Sequence, residues 1–105
     1  MAGSTQGTPV IDLLANMTLA SVNASSLDPE ALMIARLAAL AAVGAPAISY
    51  KTNFEAAVAV GIDVDRIRGI LTAIAPIVGA PRVATALIGI GEALELEIED
   101  FEASL

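Results

Sequence analysis

The stretch 29-PEALMIARLAALAAV-43 decides the fold of this chain. Asp28 precedes it and is suited to cap a helix, because its carboxylate accepts hydrogen bonds from the first free backbone N–H groups. Gly44 follows it and is suited to end a helix, because glycine adopts the left-handed backbone conformation at little cost. The stretch therefore predicts a helix over residues 29–43.

This helix is apolar on every side, since Arg36 is the only polar side chain between Ala31 and Val43. A helix that is apolar all round must be buried all round. A domain of 105 residues exposes a large share of its surface and rarely encloses one helix completely. We therefore expect an obligate homo-oligomer in which other subunits cover part of this helix.

The composition predicts a single all-α domain of about five helices. The chain is rich in alanine, and only 3% of its residues are aromatic and 16% charged. Alanine has the highest helix propensity, whereas a β-sandwich requires β-branched and aromatic side chains. We expect a flexible arm over residues 1–8, the helical domain over residues 9–101 and a C-terminal tail over residues 102–105.

Four more helices are predicted from apolar spacing and from capping residues. They cover residues 9–24, about 46–60, 64–78 and 81 to about 101, and Pro76 should kink or end the third of these. Two glycines in the last helix, Gly89 and Gly91, are expected to permit close approach of another helix. The side chains predicted to point inward are Ile11, Leu14, Met17 and Val22, then Ile67, Ile70, Leu71 and Ile74, and finally Val83, Leu87, Ile90 and Leu94.

Charge and missing residue types exclude several classes of function. A net charge of −7 and five scattered cations leave no basic patch for the phosphates of a nucleic acid. The chain has no Cys and no His, so it has no thiolate nucleophile and lacks the commonest metal ligand. We expect no cofactor, no metal and no thiol-dependent peroxidase or disulfide-reductase activity.

The sequence favours a cytoplasmic location over a membrane span. The N-terminal residues lack the charged and apolar regions of a signal peptide. The apolar run 31–48 approaches the length of a span, but Arg36 lies inside it and Gly44 and Pro46 interrupt it. A small membrane-associated protein stays as an alternative.

The stretch 44-GAPAISYKTNFEAAVAVG-61 has the outline of an active-site helix. Ser49 and Asn53 are four residues apart and share one face, so Ser could act as a nucleophile and Asn as an oxyanion donor. A Ser nucleophile needs a base, and Lys51 is two residues away on another face. The favoured interpretation is that Ser49 and Asn53 are polar groups at the start of the helix that accept hydrogen bonds from free backbone N–H groups.

Arg36 needs an anionic partner, because an unpaired buried charge is very costly. The favoured interpretation is an ion pair within the chain or across a subunit contact, for which Glu55 and Glu92 are candidates. The alternative is that Arg36 binds the carboxylate of a ligand. Three further candidates for binding an anionic ligand are Tyr50, Lys51 and Arg82. For the first two, a solvated face is the favoured interpretation.

Residues 27–94 taken together resemble the carboxymuconolactone decarboxylase family, whose fold is also called AhpD-like. The resemblance is carried by 27-LDPEALMIARLAALAAVGAP-46, 53-NFEAAVAVGIDVDRIRGIL-71 and 75-APIVGAPRVATAL-87. The family has the same order: an LDP-type helix start, an apolar helix, a site helix ending in Ala-x-x-x-Gly, a helix after an acidic cap and a Gly-x-Pro-Arg turn. The resemblance implies an all-α fold and a homo-oligomer, most often a trimer or hexamer.

The redox branch of that family uses a Glu, a Cys-x-x-Cys pair and a His after the second Cys. When the chain is aligned on Gly61, the Glu position is occupied by Met33 or Ile34 and the first Cys position by Pro46 or Ala45. The second Cys position is occupied by Ser49 and the His position by Asn53. Every redox position is replaced, so the resemblance implies a non-redox, oligomeric helical protein that binds a small ligand or a partner. The alternative is a Cys-independent enzyme of the decarboxylase type, acting on a small carboxylate or lactone.

Overall fold

The computed structural model describes residues 7–95, and within them it contains five α-helices and no strand. The helices are α1 (Pro9–Ala24), α2 (Pro29–Val43), α3 (Ala47–Ala59), α4 (Val64–Val78) and α5 (Ala80–Leu94). The all-α prediction is confirmed. The predicted tail and most of the predicted arm lie outside the described residues.

Local sequence signals set the ends of α2 and α4. The carboxylate of Asp28 accepts a hydrogen bond from the backbone N–H of Ala31 at 2.8 Å, and that of Asp63 accepts one from Arg66 at 2.9 Å. Both are N-cap bonds, which satisfy donors that the helix leaves free. Gly44 ends α2 with a φ of 71°, in the left-handed region that favours glycine. The predicted bounds of both helices are confirmed.

The last helix ends earlier than predicted within the described residues, and the predicted stretch 96–101 lies outside them. α5 ends at Leu94, and Glu95 takes a left-handed conformation with a φ of 60°. The prediction that this helix continues through Glu95 is therefore wrong. Glu92 and Glu95 place negative charge at the negative end of the helix dipole, which disfavours further helical turns.

The core is enclosed by α2, α3, α4 and α5. α2 packs against the other three, and α5 also packs against α3 and α4. The predicted inward side chains of α4 are buried at three positions and half-buried at Ile74. The buried apolar side chains are Leu32, Met33, Leu37, Ala41, Ala45, Tyr50, Phe54, Ala57, Ile62, Ile67, Ile70, Leu71, Ala86 and Ile90.

One face of α2 stays exposed in the protomer. Its exposed side chains are Ala35, Ala39, Ala42 and, at the end of the helix, Val43. The protomer therefore does not bury α2 all round, which agrees with the reasoning that a domain of this size cannot enclose it. Coverage of this face by other subunits stays a prediction.

The first helix touches the rest of the domain only along its edge. None of the side chains of α1 is buried. Ile11, Leu14, Met17 and Val22 are 65%, 54%, 57% and 47% exposed, so the prediction that they point into the core is wrong. The physical reason is that the core is already closed by the four helices that follow α1.

Candidate ligand-binding site

A cavity of about 340 Å³ opens between α1, α2 and α3. It brings together two of the predicted site residues, Arg36 and Asn53, which lie on different helices. The cavity is lined by Met17, Thr18 and Ser21 of α1, by Arg36, Ala39 and Leu40 of α2, and by Asn53 of α3. One cationic side chain, one amide and two hydroxyls thus face a wall that is otherwise apolar.

Arg36 is half-buried at this cavity. Its Nη2 donates a hydrogen bond to the backbone carbonyl of Thr18 at 3.3 Å, which ties α2 to α1. A guanidinium carries five N–H donors in a planar fork. The Thr18 carbonyl occupies one of them, and no other described residue forms a hydrogen bond or an ion pair with Arg36.

The predicted ion pair of Arg36 with Glu55 or Glu92 does not form within the protomer. Between residues 7 and 95, the ion pairs are those of Arg66 with Glu30 and of Arg68 with Asp65, at 3.2 and 3.3 Å. The pairing prediction is therefore wrong for a single copy of the chain, although a pair across a subunit contact stays a prediction. Within one protomer, Arg36 has no anionic partner among the described residues.

Asn53 contributes an amide to the cavity. Its Nδ2 donates to the backbone carbonyl of Ser49 at 2.8 Å, and the hydroxyl of Thr52 donates to the same carbonyl at 3.0 Å. Asn53 thus bonds to a backbone carbonyl, whereas the predicted bond to free backbone N–H groups at the start of the helix is not formed by Asn53 or by the Ser49 hydroxyl among the described residues. Ser49 and Asn53 do not bond through their side chains, and Ser49 does not line the cavity.

Tyr50 lies in the core, so the interpretation that places it on a solvated face is wrong. Its side chain is fully buried, and its ring centroid is 6.1 Å from that of Phe54. Its hydroxyl oxygen is also buried and has no hydrogen-bond partner among the described residues. Burial raises the pKa of the Tyr50 hydroxyl above its ordinary value, so the group stays neutral over a wider pH range.

The other two candidates for an anionic ligand, Lys51 and Arg82, do not line the cavity. Lys51 is exposed, as predicted for a solvated face. The Arg82 guanidinium lies against Gly44, where a methyl group would overlap Nη1 of Arg82. Arg82 thus places positive charge at the carboxyl end of α2, the end at which a helix dipole favours cations.

Two hydroxyl residues of the cavity, Thr18 and Ser21, were not predicted as site residues. They are three positions apart on α1, a spacing that puts both on one face of a helix. That spacing is the sequence signal that could have identified them. It is weak, because exposed hydroxyls on a helix are common and the cavity depends on how α1 packs against α2.

A second cavity, of about 310 Å³, lies where α3, α4 and the end of α5 meet. Its wall is almost entirely apolar, and its one charged residue, Asp63, already caps α4. It contains none of the predicted site residues. We therefore take the cavity at Arg36 as the candidate site.

Residues 7–95 contain neither a candidate metal cluster nor a helix that could cross a membrane. No group of three or more His, Cys, Asp or Glu side chains in this part of the chain is placed to hold a metal ion. None of the helices in the same range combines the length and the hydropathy that crossing a membrane requires.

No protein-family model, no curated protein and no solved structure matches the chain. The resemblance to the carboxymuconolactone decarboxylase family therefore rests on the quoted segments and stays a hypothesis. The chemistry of the site has to be inferred from its own side chains.

Proposed function

We propose that the protein is a non-redox helical binding protein that takes a small carboxylate ligand at Arg36. The observation that carries the proposal is the half-buried side chain of Arg36, which lines the cavity and has no anionic partner among residues 7–95. A partly desolvated cation gains more from an anion than an exposed one does. A ligand carboxylate is the simplest anion that the planar fork of Arg binds through two hydrogen bonds.

The rest of the lining suits a small organic acid. The Asn53 amide and the Ser21 hydroxyl can bind polar substituents, and Met17 and Leu40 can contact a hydrocarbon part. The Thr18 hydroxyl donates to the Leu14 carbonyl at 3.0 Å and can therefore act only as an acceptor for a ligand. Ligand sites combine apolar walls with a few polar groups that fix orientation, and a volume of about 340 Å³ lies at the small end of their usual range. The ligand class is therefore a small, partly apolar carboxylate.

Binding is favoured over catalysis by the same lining. General acid–base catalysis uses a group whose pKa lies near the working pH, and the lining residues include no Asp, Glu, His or Lys. Ser21 has no base beside it in the cavity, so its hydroxyl is a weak nucleophile. The decarboxylase-type alternative would need a proton donor from outside this set of residues.

Membership of the carboxymuconolactone decarboxylase family, without its redox site, is part of the proposal. Its support is the order of the quoted segments together with an all-helical fold in which α2, α3 and α4 follow in that order. A cytoplasmic homo-oligomer is the form that we propose for the protein. The exposed alanine face of α2 and the exposed apolar side chains of α1 support assembly.

Thermal unfolding with added small carboxylates tests the anion site. Benzoate and adipate are suitable probes, and uncharged benzamide controls for binding that does not need charge. We expect carboxylates to raise the melting temperature of the wild type but not that of Arg36→Gln, because the neutral side chain loses the charge-assisted bonds. Arg82→Gln is the matched control, since Arg82 lies outside the cavity, and it should respond like the wild type.

Far-UV circular dichroism must first show that both variants are folded. An equal rise in the melting temperature of Arg36→Gln would contradict the site. So would the absence of any carboxylate effect on the wild type at millimolar concentration.

A further inference from the structure

We propose that α1 is a strap over the cavity at Arg36, and that it closes onto the core when a carboxylate binds there. The inference rests on the proposed function, because it concerns how the same site is completed and regulated. Its consequence is that a ligand at Arg36 and the docking of α1 stabilise each other. The cavity of a single protomer is sufficient for this effect, so the inference does not depend on assembly.

Among the five described helices, α1 has the weakest attachment to the core. None of its side chains is buried, and the extensive helix contacts of the domain are all made among α2, α3, α4 and α5. It is tied to α2 by the hydrogen bond from Nη2 of Arg36 to the Thr18 carbonyl at 3.3 Å. A helix with so few buried contacts can leave the core at a small cost in free energy.

The short connection 25–28 gives α1 a hinge at its carboxyl end. These residues are not helical, and Ser25 at the start of the connection has an extended backbone, with a φ of −73° and a ψ of 138°. Thr18 lies seven positions before Ser25, which is about 10 Å along a helix. A rotation about the connection therefore carries Thr18 and its neighbours away from α2 and opens the cavity.

The cavity is incomplete without α1. Three of its seven lining residues, Met17, Thr18 and Ser21, belong to this helix, and the others lie on α2 and α3. A ligand in the cavity therefore contacts both the strap and the core. A ligand shifts a conformational equilibrium by the difference in its affinity for the two states, and only the closed state offers the full set of contacts.

The charge of Arg36 makes closing depend on the ligand. When α1 lies over the empty cavity, Arg36 is half-buried with a neutral carbonyl as its hydrogen-bond partner and with no anion among residues 7–95. Partial burial of an unpaired charge opposes this closed state. A carboxylate at the other N–H donors offsets the cost, since one guanidinium can serve the Thr18 carbonyl and the ligand together. The ligand class that the site selects is therefore the one that favours closing.

Isothermal titration calorimetry with benzoate tests the strap through a break in α1. Ala15 is exposed and does not line the cavity, so Ala15→Pro interrupts the helix without removing a ligand contact. We expect this variant to bind benzoate at least about tenfold more weakly than the wild type, because the apparent affinity falls with the closed fraction. The matched control, Ala15→Gln, keeps a good helix former at the same position and should bind like the wild type. Thermal unfolding followed by circular dichroism checks that the core of both variants is folded.

Limited proteolysis with thermolysin tests the reverse effect, that of the ligand on α1. α1 contains no Lys or Arg, but thermolysin cuts before large apolar residues such as Leu13 and Leu14. Cleavage within α1 follows the open fraction as long as closing is faster than cutting. At a free benzoate concentration of about ten times Kd, we expect this cleavage to slow about tenfold in the wild type and to stay unchanged in Arg36→Gln. Uncharged benzamide should not slow it in either protein.

The contrary outcomes separate the strap from the anion site. A wild type that binds benzoate while cleavage within α1 stays unchanged overturns the strap and leaves the anion site standing. An Ala15→Pro variant that binds benzoate as tightly as the wild type does the same. An Ala15→Pro variant whose core is unfolded would show that α1 belongs to the core, which also overturns the strap. A wild type that binds no benzoate at millimolar concentration overturns the anion site and the strap together.

Discussion

The ring of Tyr50 on α3 lies directly against the backbone of Gly89 on α5. A Cβ atom at position 89 would come within 3.1 Å of Cε2 of Tyr50 and 3.6 Å of the Ala45 carbonyl oxygen. The sequence-based expectation that a glycine of α5 permits close approach of another helix is confirmed at this position. At this contact, the aromatic ring of Tyr50 on α3 packs against Gly89 on α5, which has no side chain to keep the two helices apart.

Gly89→Ala is expected to lower the free energy of unfolding by about 1 kcal/mol. Helix propensity alone would raise it by about 1 kcal/mol, but overpacking a core costs about 1–3 kcal/mol, and the Tyr50 ring is fully buried. Gly69→Ala is the matched control, because nothing lies within 4 Å of the added methyl on α4, and it should stabilise by roughly 0.5–1 kcal/mol. Denaturant unfolding measures both variants. A stabilised Gly89→Ala would show that the ring moves aside.

Tyr50→Phe is expected to raise the free energy of unfolding by about 1 kcal/mol at neutral pH. The substitution removes a buried hydroxyl that has no partner among the described residues, and such a group costs about 1–3 kcal/mol. Denaturant unfolding at neutral pH measures the change. A loss of stability would mean that the hydroxyl is hydrogen-bonded in the native protein.

The same variant tests the titration of Tyr50. Burial raises its pKa in the folded state above the ordinary value of 10.0. The folded state then holds the proton more tightly than the unfolded state, so this contribution to stability is complete below pH 10.0 and is lost as the pH rises through the folded pKa. Above pH 10.0 the wild type should therefore lose stability more steeply than Tyr50→Phe. Parallel pH dependences of the two proteins would contradict this.

Ser49 is expected to be chemically inert. Its hydroxyl has no hydrogen bond to any described residue and no base beside it, so a serine-directed covalent probe should leave it unlabelled, as judged by mass spectrometry. Ser49→Ala should change the free energy of unfolding by less than about 0.5 kcal/mol. Asn53→Ala, which removes the 2.8 Å bond to the Ser49 carbonyl, should cost slightly more, about 0.5 kcal/mol after the gain in helix propensity. Stoichiometric labelling of Ser49 that disappears on unfolding would show an active nucleophile.

The ends of the inner helices could be predicted because their signals are local. Asp28, Asp63 and Gly44 each act on backbone groups within a few residues, so sequence alone identifies them as caps. The apolar face of α4 was equally accessible, since its spacing fits a helix with one buried side. The carboxyl end of α5 was missed because its apolar spacing continues past Leu94, whereas the backbone turns at Glu95.

The position of Tyr50 and the environment of α1 could not be predicted in the same way, because both depend on tertiary packing. Tyr50 stands among Ser49, Lys51 and Asn53, and such a polar cluster normally indicates a solvated face. Tyr50 can be buried because residue 89, far away in sequence, is a glycine and leaves room for the ring. The apolar spacing of α1 correctly predicts a helix with an apolar face, but spacing cannot tell whether that face meets the core of the same chain.

The sequence indicates Arg36 and Asn53 as site residues for separate reasons. Arg36 is a charge in an apolar helix, and Asn53 aligns with a site position of the family that the chain resembles. Their common cavity depends on how α2 and α3 pack and on the residues of α1 that complete its wall. Sequence therefore predicted two of the site residues but not the site.

The light attachment of α1 predicts that this helix unfolds as a unit separate from the core. Without a buried side chain, and with the bond from Arg36 to the Thr18 carbonyl as its tie to α2, α1 can open while the core stays folded. The amide hydrogens of α1 then exchange with solvent through this local opening, whereas those of α2 and α4 exchange only when the whole domain unfolds. Any molecule that covers α1 binds only its closed form, so the protection of these amides against exchange rises with the concentration of that molecule. The rate of local hydrogen exchange in α1 is therefore expected to fall as the chain assembles through α1, while the exchange rates in the core stay the same.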